Sequence, residues 1–164
     1  MNGAWDGHDS GFHPASALDF IPAAQMRRLQ LHRLRAVVER AYTNVEHFRD
    51  RLDKRGVAPE DIGTLDDIAR LPFTVKNDLR DTYPFGLFAS PMHEVVRLHA
   101  SSGTTGKPIV VAYTREDVDV WTSAMVRTLS ACGNGRADVV QNAYGYRLFT
   151  GGLGAHYGAE ALGA

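Results

Sequence analysis

Residues 101–114 read SSGTTGKPIVVAYT, and the way this stretch is understood decides the rest. Six small, flexible or hydroxylated residues, Ser101 to Gly106, precede Lys107, Pro108 and a run of β-forming residues. Such a loop orders poorly by itself, because glycine loses the most backbone freedom on folding. A bound ligand would offset that cost. Backbone N–H groups freed by the glycines, the hydroxyls of Ser101, Ser102, Thr104 and Thr105, and the Lys107 ammonium together make a donor-rich cradle for phosphate oxygens. The Walker P-loop pattern is not met: its first glycine position holds Ser101, and Pro108 stands where the pattern needs Ser or Thr. Nor is G-x-G-x-x-G present. Plain hairpin connections are commonly two to five residues and this one is about eight, so length as well as composition favours phosphate binding.

Working outward, EVVRLHA before the loop and PIVVAYT after it read as strands, since β-branched residues cluster there between turn formers. Thr114, with Asp117 three residues on, marks a helix start, and Val118, Trp121, Met125 and Leu129 form its buried stripe before Gly133 and Gly135. DVVQNAY is a third strand candidate. The small-residue spacing of FTGGLGAHYGAEALGA predicts a helix packed very close to a neighbour. Upstream, Met26, Leu29, Leu34, Val37, Ala41, Val45, Phe48 and Leu52 lay a stripe along a helical stretch between Gln25 and Arg55, with a break near YTNVEHF and a stop at Gly56. Its arginines, as in RRLQLHRLR, read as a solvated face. Two short capped helices follow, begun by Thr64 and Thr74 and set between Pro59, Pro72 and Pro84. Strands and helices alternate around the loop, so the fold class is α/β.

The 164 residues are 44% hydrophobic and 23% charged, enough for one compact domain. A formal net charge of −1 gives no electrostatic footprint for nucleic acid or an anionic membrane. The opening MNGAWDGHDSGFHPASALDF has neither a basic leader nor an apolar core, and no run of about 18 apolar residues occurs, so no membrane segment is expected. Residues 1–20 read as a loosely ordered arm. The single cysteine, Cys132, fits a reducing compartment, and cytoplasm is the expected location. Cys132 reads as inert and His156 as structural; the seven histidines show no metal-ligand spacing.

The loop SSGTTGKP resembles the phosphate-binding signature of the adenylate-forming enzymes: acyl-CoA synthetases, aryl-CoA ligases and peptide-synthetase adenylation domains. LPFTVKNDLRDTYPFGLFASP, VVRLHASSGTTGKPIVVAYTREDVDVW and VQNAYGYRLFTGGLGAHYGAEALGA resemble the phenylacetate–CoA ligase family within that group, from about Gln25 to the last residue. The resemblance implies an ATP-dependent reaction in which phenylacetate becomes an acyl adenylate with loss of pyrophosphate, and the CoA thiol then displaces AMP. ATP, Mg²⁺ and CoA are the implied co-substrates, and the implied partner is a small aryl carboxylic acid. Ser101, Ser102, Gly103, Thr104, Thr105, Gly106 and Lys107 would hold the β- and γ-phosphates. Tyr144 and Phe149 would wall an aryl-acid pocket, with Gly151, Gly152 and Gly154 permitting close approach; on chemistry alone the two aromatics serve equally well as core.

Arg147 stands where the family usually carries glycine, and this puts the choice of acid in question. The family's adenine and metal sites, its hinge aspartate and its C-terminal lid domain with the catalytic lysine match nothing in these residues. The expected organisation is therefore an arm, 1–20, and a partial N-terminal AMP-binding domain, 21–164, inactive alone. Its curtailed sheet would leave an unpaired edge that favours aggregation or a partner, either a homodimer mate or a complementing chain. A ligase for another aryl or acyl acid and a non-catalytic phosphate-binding module are the alternatives.

Overall fold

The computed structural model describes residues 13–101, 108–145 and 151–164. It divides into two compact units, Pro22–Ala112 and the combination of the residues up to Ile21 with Tyr113–Ala164.

The first unit begins with α1 (Ala23–Asn44) and α2 (Glu46–Asp53), broken at the extended residue Val45, within the stretch where the sequence predicts a break. β-branching and the neighbouring Asn44 disfavour a continuous helix there. α2 ends before Gly56, whose φ of 63° only glycine adopts without strain. Val38, Leu52, Val57 and Ile62 are buried together, with Leu31, Leu34, Tyr42, Phe48 and Leu71 packed around them. Val37, expected on the buried stripe, is instead exposed, because the core is centred on Val38.

Several arginines of this unit, Arg35 and Arg55 exposed among them, are also tethers. Arg35 donates through Nε to the Ile62 carbonyl at 2.6 Å and through Nη2 to the Gly63 carbonyl at 3.1 Å. Arg55 reaches the carbonyls of Arg70 and Leu71, and Arg51 that of Phe73. The planar guanidinium thus ties helix faces to segments that have few backbone partners of their own. Thr64 opens a 3₁₀ helix, Leu65–Arg70, with Asp67 accepting from its N–H and hydroxyl. The second short helix is α3 (Lys76–Asp81), capped one residue later than the sequence suggests: the Val75 N–H donates to Asp78 at 2.8 Å. Asp78 is buried and also accepts from Arg51 at 2.7 Å, with His47 at 3.6 Å. The Val75 N–H and then the Arg51 charge hold its carboxyl below the usual carboxylate range, against the opposing effect of burial.

β1 (Val95–Ala100) and β2 (Val110–Thr114) pair in a two-stranded sheet. Their connection is too short for the crossover that a parallel pair needs, so they form a hairpin.

In the second unit Pro14–Phe20 forms a 3₁₀ helix, so part of the expected arm is ordered; residues 1–12 lie outside the described residues. Asp19 of this turn pairs with Arg127 on α4 (Arg115–Ala131). α4 starts as expected at Thr114, whose N–H and hydroxyl both donate to Asp117 at 2.8 Å. It buries Val118 and Val126. α5 (Gly151–Leu162) packs against α4 through its glycines: a Cβ on Gly154 would lie 2.6 Å from Trp121 ring atoms, and one on Gly158 would overlap Met125. The close-packed helix expected from the small residues is present.

The third strand is not. Asp138 to Tyr144 belongs to no ladder among the described residues. β-propensity reflects packing on a pleated surface, and a strand is completed only by a partner's backbone.

Candidate functional site

The loop between β1 and β2 is closed at its base by Ser101 and Ile109. The Ser101 N–H donates to the Ile109 carbonyl at 2.9 Å, and the Ile109 N–H donates to Ser101 Oγ at 2.9 Å. Ser101 therefore stands opposite Ile109 and extends the hairpin one step beyond β1, its hydroxyl substituting for a backbone acceptor. Both ends of the loop are thereby held together. Ser102, Gly103, Thr104, Thr105, Gly106 and Lys107 lie outside the described residues. The serine hydroxyl's part in closing the mouth is a role that composition, which places it among the phosphate donors, does not reveal.

A second cluster gathers at the start of α5. Tyr144 is exposed, and a Cβ added at Gly151 would lie 3.0–3.3 Å from its ring atoms, so the ring lies against the Gly151 backbone. At Gly152 an added Cβ would approach the Gly145 carbonyl to 3.1 Å. Asn142 donates from Nδ2 to the Gly152 carbonyl at 2.8 Å and accepts the Tyr144 N–H on Oδ1 at 3.2 Å. This one amide, not singled out in the sequence, joins the 142–145 segment to the first turn of α5. Its signal was an Asn just before a Gly-rich turn, a residue that readily bonds nearby backbone. Gly154 abuts Trp121, which stacks on Tyr113 with centroids 5.2 Å apart. The close approaches at Gly152 and Gly154 are thus to protein atoms, while Tyr144 and Gly151 present an exposed aromatic-and-glycine surface. Phe149 and Arg147 lie outside the described residues.

Elsewhere the chemistry is sparse. Cys132 is exposed. His156 pairs with Glu160 at 3.9 Å and meets Tyr157 edge-on. No group of three or more His, Cys, Asp or Glu able to hold a metal ion occurs among the described residues, and no described helix is long and apolar enough to cross a membrane.

Comparison with known proteins sets this geometry in context. No protein-family model matches the chain. It is 57% identical over 139 residues to phenylacetate-coenzyme A ligase of Aromatoleum evansii, matching 85% of this chain and 32% of that enzyme. It is 51% identical over 156 residues to the enzyme of the same name from Pseudomonas putida, 95% of this chain and 36% of that one. The chain is similar to phenylacetate-coenzyme A ligases. It spans about a third of the length of these relatives. Among solved structures, 2-hydroxyisobutyryl-CoA ligase in complex with 2-HIB-AMP and CoA superposes with a TM-score of 0.80 at 32% identity, over 87% of this chain and 31% of that one. Another structure of that ligase, with R3-HIB-AMP, gives 0.81 at 27% identity over 97% and 35%. The fold class is accordingly that of a partial N-terminal domain of adenylate-forming CoA ligases, mostly helical with a small sheet.

Proposed function

We propose that these 164 residues carry the ATP-phosphate loop and part of the acid pocket of an ATP-dependent, AMP-forming acid–CoA ligase whose acid is phenylacetate or a close aryl relative. The observation that carries this reading is identity of 51–57% to phenylacetate-coenzyme A ligases across 85–95% of the chain. The 27–32% identity to 2-hydroxyisobutyryl-CoA ligase is lower and supports the shared chemistry more than the acid. That ligase's complexes with an acyl adenylate and CoA support the same order here: adenylation first, thioester formation second.

In this reading Ser102 to Lys107 wrap the β- and γ-phosphates, with the glycines exposing backbone N–H groups and Lys107 acting as a point charge on the triphosphate. Fixed donors stabilise the pyrophosphate as it departs and need no reorganisation when charge develops. Ser101 holds the mouth of the loop. Mg²⁺ would be carried by the nucleotide and would supply further charge neutralisation. Tyr144, Phe149 and the backbone of Gly151 shape the acid pocket, Gly152 and Gly154 serve it by seating α5 against protein atoms, and Arg147 adds bulk and charge absent from a glycine. Complete ligation is proposed for the full ligase fold, in the cytoplasm, and not for these residues by themselves.

The test is calorimetric titration of MgATP into the folded chain and its Lys107→Ala variant. Binding is expected to weaken about tenfold in the variant, the loss of one charge-assisted contact. Absence of MgATP binding by the native chain, or equal binding by both, overturns the proposal.

A further inference from the structure

Tyr144 is 62% exposed, yet its backbone and its ring are both seated. Asn142 Oδ1 accepts the Tyr144 N–H at 3.2 Å, closing the short turn that asparagine favours, while Nδ2 of the same amide donates to the Gly152 carbonyl at 2.8 Å. The Tyr144 and Gly145 carbonyls lie over Gly152, where a Cβ would meet them at 3.4 and 3.1 Å. The ring lies over Gly151, where a Cβ would be 3.0 Å from Cε1 and 3.3 Å from Cδ1 and Cζ. Non-bonded carbon atoms prefer about 3.5–4.0 Å, so glycine is the residue that lets the ring rest on this turn of α5. One side-chain amide therefore clamps Tyr144 to the helix. An exposed tyrosine without such a clamp samples several rotamers, and ordering one of them costs free energy.

We propose that Asn142 is a positioning residue for acid selection: by clamping Tyr144 to the first turn of α5, it holds the phenol ring as a fixed platform for an aryl ring of the acid. Asn142 acts through Tyr144. Because the platform is ordered before the acid arrives, binding an aryl ring does not have to order it. Aromatic pairs gain from offset or edge-on contact at centroid distances of about 4.5–7 Å, and a small aliphatic acid has no ring with which to make that contact. Phenylacetate, named by the relatives, and 2-hydroxyisobutyrate, the acid of the structural neighbour, differ in this respect. The inference rests on the ligase reading above and adds to it the residue that sets the preference among acids. A purely structural Asn142 would lower stability without changing which acid is preferred.

The test titrates sodium phenylacetate and sodium 2-hydroxyisobutyrate into the 164-residue chain and its Asn142→Ala and Asn142→Asp variants, followed by NMR. Both variants lose the Nδ2 donor. Asn142→Asp keeps an acceptor for the Tyr144 N–H and so preserves the turn if Asn142→Ala does not fold. In the native chain the Gly151 α-protons are expected to carry a ring-current shift from Tyr144, and phenylacetate to bind more tightly than 2-hydroxyisobutyrate. In the folded variants the ring-current shift collapses, and the ratio of the two affinities falls about two- to tenfold, the range of one aromatic contact. Taking the ratio cancels the repulsion that an added carboxylate exerts on either acid. A native chain without the ring-current shift overturns the proposal. So do folded variants that keep the shift or the native ratio, and variants that weaken both acids equally, the mark of a merely structural residue. Absence of phenylacetate binding by the native chain overturns it as well: where Lys107-dependent MgATP binding is intact the ligase reading survives, and where it is lost both fall.

Discussion

Replacing Gly154 with alanine pits two rules against each other. Glycine in a helix interior is about 1 kcal/mol less favourable than alanine, so local propensity alone predicts that Gly154→Ala stabilises α5 by that amount. Packing predicts the opposite. The new Cβ would sit 2.6 Å from Cε2, Cζ2 and Nε1 of Trp121, where non-bonded carbon atoms prefer about 3.5–4.0 Å. Roughly 1 Å of separation must be found between α4 and α5. The indole has little freedom to supply it, since Tyr113 stacks on it at 5.2 Å. Overpacking of this kind costs about 1–3 kcal/mol, so the net change is a destabilisation of up to about 2 kcal/mol after the propensity gain. The assay is urea unfolding followed by far-UV circular dichroism, with the same substitution repeated in a Trp121→Leu background. There the obstructing ring is gone, and Gly154→Ala should become neutral or stabilising, a coupling that a double-mutant cycle reads directly. An unfolding midpoint for Gly154→Ala above that of the native chain, or the same effect of the substitution in both backgrounds, refutes the close-packing account.

Leu52 is fully buried in the helical core, and Leu52→Ala should cost about 2–5 kcal/mol in the same unfolding measurement. Ser101→Ala removes the acceptor for the Ile109 N–H; MgATP affinity should fall several-fold as the loop mouth loosens, with stability lowered by about 1 kcal/mol, and unchanged affinity would separate Ser101 from the loop's function. The Asp78 carboxyl is held below its unfolded value of about 4, so its stabilising contribution is present above that pH and is lost as pH falls through the lower folded value. Asp78→Asn should therefore lower the melting temperature at pH 7 and flatten its decline below about pH 4, and an unchanged acid slope would show that Asp78 does not carry it.

Features whose cause is local were legible in the sequence. Thr114 with Asp117 began a helix, Gly56 and Gly133 ended helical stretches with positive φ, and the β-branched runs on each side of the Gly/Ser/Thr loop paired. Capping, left-handed backbone and hairpin pairing are decided within a few residues. The donor-rich character of the loop was legible for the same reason, since donor types and spacing are written in order along the chain.

What depended on distant neighbours was not. Arg35 is exposed as the solvated-face reading expects, but its bonds to the carbonyls of Ile62 and Gly63, like those of Arg51 and Arg55 to the carbonyls of 70–73, could not be read from the helix pattern. DVVQNAY has strand composition and strand-like burial, yet ladder membership needs a second backbone, which composition cannot supply. Asn142 owes its role to one bond across ten residues and Ser101 to two across eight. The sequence by itself determined where elements start and stop, the donor-rich loop, and the small residues that let α5 approach a partner. Only the tertiary structure decided that this partner is Trp121 and Met125 of α4, because close packing is a relation between two surfaces and neither carries it alone.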